Sequence, residues 1–330
     1  MRKIEISRRT IVFAVFFILS LYLLWIIKEL LFSLLIAFIL MSALRPAVKV
    51  LEKRGLPRKP AAIVVYLLFI FFFIYLFSII VPPIITEGGA LIKSLPGIVK
   101  SLVSPEVSSW LQLESLTQYI PNITRQAFEI VGGIFSNIFF VVTTLFFGLY
   151  FIIEEDIIKK FITKLFDGEK AIPIVAIFEK AEKRMSAWFW GELTLMFVVG
   201  IFTFIGLNLI GMKYALPLAV LAGLLEVVPN IGPVISAIPA ILIGLSTSYV
   251  LGIAAVALYF IVQQLENNLI VPWIMRRAVG LDPIITLVAL IIGGKLGGVL
   301  GVLLSIPILL FLETVVMEIK ANKSTFDNLF

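Results

Sequence analysis

The sequence predicts an all-α polytopic membrane protein of about eight membrane segments, two of them re-entrant-type helical hairpins related as an inverted repeat. Three observations carry this. Of 330 residues 61% are hydrophobic and the mean hydropathy is +1.11, more apolar surface than a soluble domain can hide. The apolar runs are too long for strands and lack period-two alternation, so the spans are helices and not a barrel. Lys and Arg cluster in a few connecting segments, which sets the side of each crossing.

Met1–Thr10 carries Arg2, Lys3, Arg8 and Arg9 ahead of an apolar run from Ile11 to Ile27. The run is long and no small-residue cleavage site follows it, so it reads as an uncleaved first span with its N-terminus in the cytoplasm. Lys28-Glu29 is expected to turn the chain tightly and Leu30–Leu44 to return. Arg45, Lys49, Lys53, Arg54, Arg58 and Lys59 mark a cytoplasmic loop, and Ala61–Val81 leads out again. These N-terminal membrane helices occupy residues 1–81. In the extracytoplasmic region 82–127, Leu91, Leu95, Val99 and Leu102 recur at helical spacing. An amphipathic helix lying on the membrane or on a neighbouring subunit fits, and another is expected over Val107–Ile120.

The fourth membrane helix covers residues 128–153. Residues 154–187 are rich in both charges and should form two cytoplasmic amphipathic helices broken at Asp167-Gly168. Trp188 and Trp190 mark the interface where the fifth span begins, within a core transport region at 188–319. A cytoplasmic tail at 320–330 closes the chain. Arg276, Arg277, Lys320 and Lys323 should all be cytoplasmic, yet only one full-length span, Val250–Met275, precedes the arginine pair. Tyr214–Tyr249 must therefore leave and regain the same outer face. Its arms of about 15 residues reach roughly 22 Å against a 30 Å core. That describes a dipping hairpin with Pro229-Asn230-Ile231-Gly232-Pro233 at its tip. By the same parity Asp282–Leu312 begins and ends inside, turning at Gly293–Gly298, with Gly294, Lys295 and Gly297 as possible tip residues. Asp282-Pro283 reads as an N-cap followed by proline at the first helical position.

Polar residues in this greasy region are the candidate binding groups. Pro229 and Pro233 free backbone carbonyls, and Gly232 lets the chain turn or approach a ligand. The same residues also suit a plain hairpin turn. Glu226, one turn earlier, can carry a proton or can bond a neighbouring helix. Gln263, Gln264, Glu266, Asn267 and Asn268 cover about half the circumference of one helix, with Gln263–Asn267 and Gln264–Asn268 as i,i+4 pairs. They fit a polar solute or ion site, or interhelical hydrogen bonding. The glycines at 293–301 suit close helix packing, and Lys295 either pairs with an anion or reaches the interface.

These motifs resemble the autoinducer-2 exporter family. Glu226-Val227-Val228-Pro229-Asn230-Ile231-Gly232-Pro233 matches its Glu-x-x-Pro-x-x-Gly-Pro signature. Gln263–Asn268 with Pro272, Asp282-Pro283, and Gly293–Gly298 followed by Ser305-Ile306-Pro307 are similar to its later motifs in order and spacing. The resemblance covers nearly the whole chain. It implies an oligomeric transporter, with export of the furanone autoinducer-2 assigned to some members and sodium or lithium extrusion against protons to others.

The residues themselves agree on a secondary transporter. No Walker loop supplies ATP chemistry, and Glu226 and Glu266 are the intramembrane acids available for coupling. Cargo would be a small polar solute or a cation, with Na+ or H+ as coupling ion, moved by alternating access at the bilayer midplane. A passive channel lined by the same residues is the alternative. With no His, no Cys, no paired intramembrane aspartates and no Gly-x-Ser-x-Gly elbow, an enzyme finds no support, and no cofactor, catalytic residue or metal site is expected. The expected partners are the lipid bilayer and further copies of this chain, not nucleic acid. The expected location is the cell (inner) membrane, multi-pass, with both termini cytoplasmic.

Overall fold

The computed structural model describes residues 8–102, 137–154, 157–166, 168–229, 231–274 and 282–321. Arg276-Arg277, Asn230, the Val107–Ile120 segment, Asp167 and most of the C-terminal tail lie outside these residues. Among the described residues the fold is helical throughout, with no strands.

Helix α1 (Arg8–Ile26) meets α2 (Lys28–Lys53) at one residue, Ile27. None of the apolar window of α1 is buried, so α1 does not fold back along α2 as a tight turn at Lys28-Glu29 would make it. Helix α3 (Arg58–Pro83) runs through a wide π turn (Ile84–Gly88) into α4 (Gly89–Leu102). The π turn follows Pro82-Pro83, which supply no N–H to the ladder. The amphipathic α4 does not lie free on the surface. It buries Leu91 completely among Leu207, Leu218, Ala240 and Ile243 of the same chain.

Asn137 caps α5 (Ile138–Ile153) by accepting from Phe140 N at 3.1 Å. The short amphipathic α6 (Ile157–Leu165) follows at an 80° bend. Then comes α7 (Gly168–Leu209), 42 residues without a break. At 1.5 Å per residue α7 is about 63 Å long, twice the hydrocarbon core, so its first half extends beyond the membrane.

Two cores form along α7. Around its first half, Met185 and Trp188 pack with Phe38, Leu44, Val48, Tyr66, Ile152, Leu304 and Leu310 from α2, α3, α5 and the C-terminal helix. Around its second half, Leu207 packs with Leu91 of α4 and with Leu218, Ala240, Ile243 and Ala255 of the helices that follow. Helix α8 (Ala215–Leu225) has 11 residues and α9 (Ile231–Thr247) has 17. At about 17 and 26 Å, neither spans a 30 Å core. Ser248 then caps α10 (Tyr249–Leu265), accepting from Leu251 N at 3.1 Å. A π turn (Glu266–Ile270) and a last helical turn, α11 (Val271–Ile274), complete that crossing.

The final element, α12 (Pro283–Ala321), opens on the expected cap, with Asp282 Oδ1 accepting from Ile284 N at 2.8 Å. By length and composition it counts as one of six candidate spans among the described residues, or of seven if bent α5–α6 is one crossing. It nevertheless folds on itself. Gly298 has φ 57° and ψ −136°, and Gly293 and Gly301 touch backbone to backbone on either side of it. In a straight helix those two glycines would stand about 12 Å apart. The reversal falls at Gly298. Gly293 and Gly301 are contact points between the arms, and Gly297 packs on the Phe32 ring.

Candidate functional site

The break between α8 and α9 is compact. Val228 N donates to Leu225 O at 3.0 Å, Ile231 N to Pro229 O at 2.8 Å and Gly232 N to Val228 O at 2.8 Å. Gly232 is buried against the Leu225 carbonyl, where a Cβ would collide with backbone. This geometry makes Gly232 a residue of close approach within the turn. Pro229 and Pro233 are half-buried around it.

Small residues bring α8 onto α7. A Cβ on Gly223 would lie 2.5 Å from the Met196 carbonyl, and one on Gly200 would lie 3.7 Å from Gly223 Cα. Such a crossing puts the next turn of α8 beside the previous turn of α7. Glu226 therefore comes to the level of Glu192, and both are buried, at 3% and 6% exposure. Glu266 enters from the third side at 5% exposure, and its carboxyl meets that of Glu226.

Pro272 explains the backbone at Glu266. It has no N–H for the Asn268 carbonyl four residues back, and Val271 N–H bonds Glu266 O, five residues back. The resulting π turn is a local widening of a kind that often accompanies functional sites. Gln263 Nε2 donates to Glu266 Oε2 at 3.0 Å, which orients that carboxyl.

The five-residue polar cluster divides here. Gln263 and Glu266 face inward. Gln264, Asn267 and Asn268 are exposed, with Asn268 Nδ2 donating to Gln264 Oε1 at 3.0 Å and to the Gln264 carbonyl at 2.9 Å. One expected i,i+4 pair forms, and Gln263 bonds Glu266 in place of Asn267. Gly294, Lys295 and Gly297 lie on the other hairpin, and the contacts of Gly294 and Gly297 are with Val302 and Phe32. Lys295 is exposed.

Sequence reasoning missed Glu192. Its signal was present: between Trp188 and Lys213 it is the one acidic residue in an otherwise apolar run. The Glu226 and Glu266 carboxyl groups thus adjoin, with Glu192 within electrostatic reach of both, and no basic side chain is among their described interactions. Two ionised carboxylates are acceptors only and cannot hydrogen-bond each other, so the Glu226–Glu266 contact needs a proton or a cation between them. Oε2 of Glu226 is buried with no hydrogen-bond partner among the described residues. The acids do not converge into a group able to chelate a metal ion among the described residues. The cluster also lies off centre. Glu192 is about 6 Å along α7 from Trp188 and about 26 Å from Leu209, so the hairpin tip reaches toward the tryptophan end of the apolar stretch.

The chain is similar to known proteins. A family profile described as AI-2E family transporter matches residues 11–321. "Putative transport protein YueF" of Bacillus subtilis is 28% identical over 303 residues, covering 86% of this chain and 82% of its own. "Putative permease PerM" of Escherichia coli is 23% identical over 312 residues, covering 87% and 86%. "Putative transport protein YhhT" of Escherichia coli is 36% identical over 135 residues, covering 41% and 39%. With a profile matching nearly its whole length, a helical membrane architecture and a buried polar site between its helices, the chain belongs to the AI-2E transporter family.

Proposed function

We propose that the protein is a secondary transporter of a small polar solute or cation, coupled to ions through Glu226 and Glu266 with Glu192 beside them. The observation that supports this best is the pairing of buried Glu226 with buried Glu266, with buried Glu192 within electrostatic reach and no basic partner among their described interactions. A charge at bilayer depth costs about 2.5–3.5 kcal/mol on insertion scales, so uncompensated acids gather where protons or cations neutralise them. The α8–α9 hairpin supports alternating access. It ends beside the acids, is too short to span, and rests on glycine contacts that allow small sliding movements.

The family assigns cargo only broadly, and autoinducer-2 export or Na+(Li+)/H+ antiport both fit a polar site of this kind. Coupling of this type requires an energised bilayer, which is consistent with the cell (inner) membrane. The basic residues Arg45, Arg58, Lys180 and Arg184 gather at one end of the fold, which favours that end on the cytoplasmic side. Helix α1 offers its apolar surface to lipid or to a second copy in a homo-oligomer.

The test is reconstitution in liposomes loaded with a pH dye, with sodium, lithium and autoinducer-2 added in turn. A cation- or solute-evoked proton flux is expected from the native chain and should be lost in Glu226→Gln and in Glu266→Gln. Solute flux without any proton or sodium dependence would instead identify a passive channel. Normal coupled flux in both variants would remove the acids from the mechanism.

A further inference from the structure

Helix α6 carries an apolar stripe that the protein covers only in part. At 100° per residue, Ile157, Phe161, Leu165, Ile158 and Ile162 fill an arc of about 140°, and Lys160, Lys164, Thr163 and Lys159 fill the opposite one. Ile162, at one edge of the apolar arc, is 4% exposed, and Ile158 packs on the core that holds Met185 and Trp188. Phe161 and Leu165 remain 63% and 62% exposed. Lys164 stands about 60° from Phe161 on the uncovered side and Lys160 about 100° from it, so positive charge borders the open apolar edge. Within its nine residues α6 holds three lysines and no acid.

The level of α6 is set by α5. That helix presents Val142, Phe146 and Tyr150 outward at intervals of four residues, the lipid-facing stripe of a crossing segment. It ends on a basic group: the Arg58 guanidinium donates to the carbonyls of Ile152 and Ile153, the last two residues of α5, at 3.3 and 3.4 Å. An arginine at a helix end, beside an outward tyrosine, marks the level of the lipid headgroups. Helix α6 begins four residues further on, at 80° to α5, and so runs nearly along the membrane plane. An exposed phenylalanine and leucine at that level find acyl chains beside them, whereas the same pair turned to water would leave its apolar area uncovered.

We infer that α6 is an interfacial helix that docks on an anionic lipid surface, the leaflet at the basic end of the fold. Phe161 and Leu165 enter the acyl boundary, and Lys160 and Lys164 reach lipid phosphates. Lys160 also pairs with Glu154, an exposed contact that lipid phosphate can replace. Lysines flanking an aromatic on a short amphipathic helix suit an anionic surface, which adds charge attraction to apolar burial. Because Ile158 packs with Met185 and Trp188, docking fixes the first half of α7 against that leaflet.

The chain contains no cysteine, so Phe161→Cys and Thr163→Cys each give a single thiol for a nitroxide label. Both positions are exposed, so both variants should melt like the native protein. They are reconstituted in bilayers of phosphatidylcholine alone and with about one part in three phosphatidylglycerol. Collision rates with oxygen, which concentrates among acyl chains, and with a water-soluble nickel chelate are then compared. In the anionic bilayer the label at 161 should favour oxygen at least about threefold over the label at 163, which lies about 160° away around the helix. The preference at 161 should weaken in phosphatidylcholine alone, and the added changes Lys160→Gln and Lys164→Gln should weaken it equally in the anionic bilayer. Water-like collisions at both positions overturn the docking. So does a label at 161 shielded from both reagents, which would put protein on this edge. An equal oxygen preference in both bilayers overturns the choice of an anionic surface. None of these readouts passes through transport, so the inference stands or falls apart from the coupling role of the acids.

Discussion

At the scale of single residues, the acids and the glycines beside them act together. Glu226 reaches Glu192 because Gly223 and Gly200 let two backbones cross closely one turn away, and it reaches Glu266 because Gly232 lets the chain fold back at once. A bulky residue at Gly232 therefore tests folding before it tests access. Gly232→Ala is expected to destabilise the protein by about 1–3 kcal/mol through backbone displacement, with a lowered thermal midpoint in detergent. A native midpoint would mean that the turn has room that its geometry denies. The charge-neutral changes Glu226→Gln and Glu266→Gln keep the shape of the site. They should insert and melt like the native protein while losing coupled flux, a separation of readouts that a misfolded variant cannot imitate.

At the scale of elements, two helical breaks have different causes, and one of them shapes the site. The π turn at Glu266–Ile270 follows from Pro272, a local effect written in the chain. The reversal at Gly298 needs a left-handed φ of 57° with ψ −136°, which an L side chain adopts only under strain, although no atom lies within 4 Å of a Cβ there. Gly298→Ala thus isolates the conformational cost from any steric one. A loss of about 1–3 kcal/mol is expected, read as a lowered midpoint with an unchanged site, and an unaffected midpoint would argue against the folded-back α12.

At the scale of the molecule, α7 joins two cores. Its first half carries Arg184, bonded to Glu313 at 2.5 Å and to Thr314 at 3.0 Å, and Lys180, bonded to Glu318 at 2.6 Å. Glu182 on the same half pairs with Arg45 of α2 at 2.5 Å, and Trp190 donates to Ala43 O at 2.9 Å. These contacts tie the second arm of α12 and the N-terminal helices to the one element that also holds Glu192. On the proposed alternating access, movement of the second arm of α12 against α7 would strain these ion pairs. Arg184→Glu should weaken the α7–α12 contact by up to about 1 kcal/mol, since the pair is partly exposed, and alter transport rate more than stability. The exchange Arg184→Glu with Glu313→Arg should recover the native rate. Failure of the double variant to recover would show that the pair is not the coupling contact.

Much of this was legible in the chain by itself. Length and hydropathy set the helical membrane class. Lys and Arg parity pointed to membrane-dipping hairpins at Tyr214–Tyr249 and Asp282–Leu312. The helices described there are α8 and α9, of 11 and 17 residues, and α12 with its non-helical Gly298, and their orientation in a bilayer belongs to the proposal. Asp282-Pro283 announced its own cap, because capping is a contact among neighbours in sequence. Contacts between distant segments were beyond such reading. The inward and outward members of Gln263–Asn268 could not be sorted without knowing where the π turn shifts the register. The packing of α4 on the hairpin depends on a surface formed by four other helices. Glu192 was visible as an isolated acid, but its meaning required Glu226 and Glu266 at its side. Local chemistry is encoded within a few residues and can be read there, whereas the acid cluster exists only where three helices cross, and tertiary packing alone decides which turns meet.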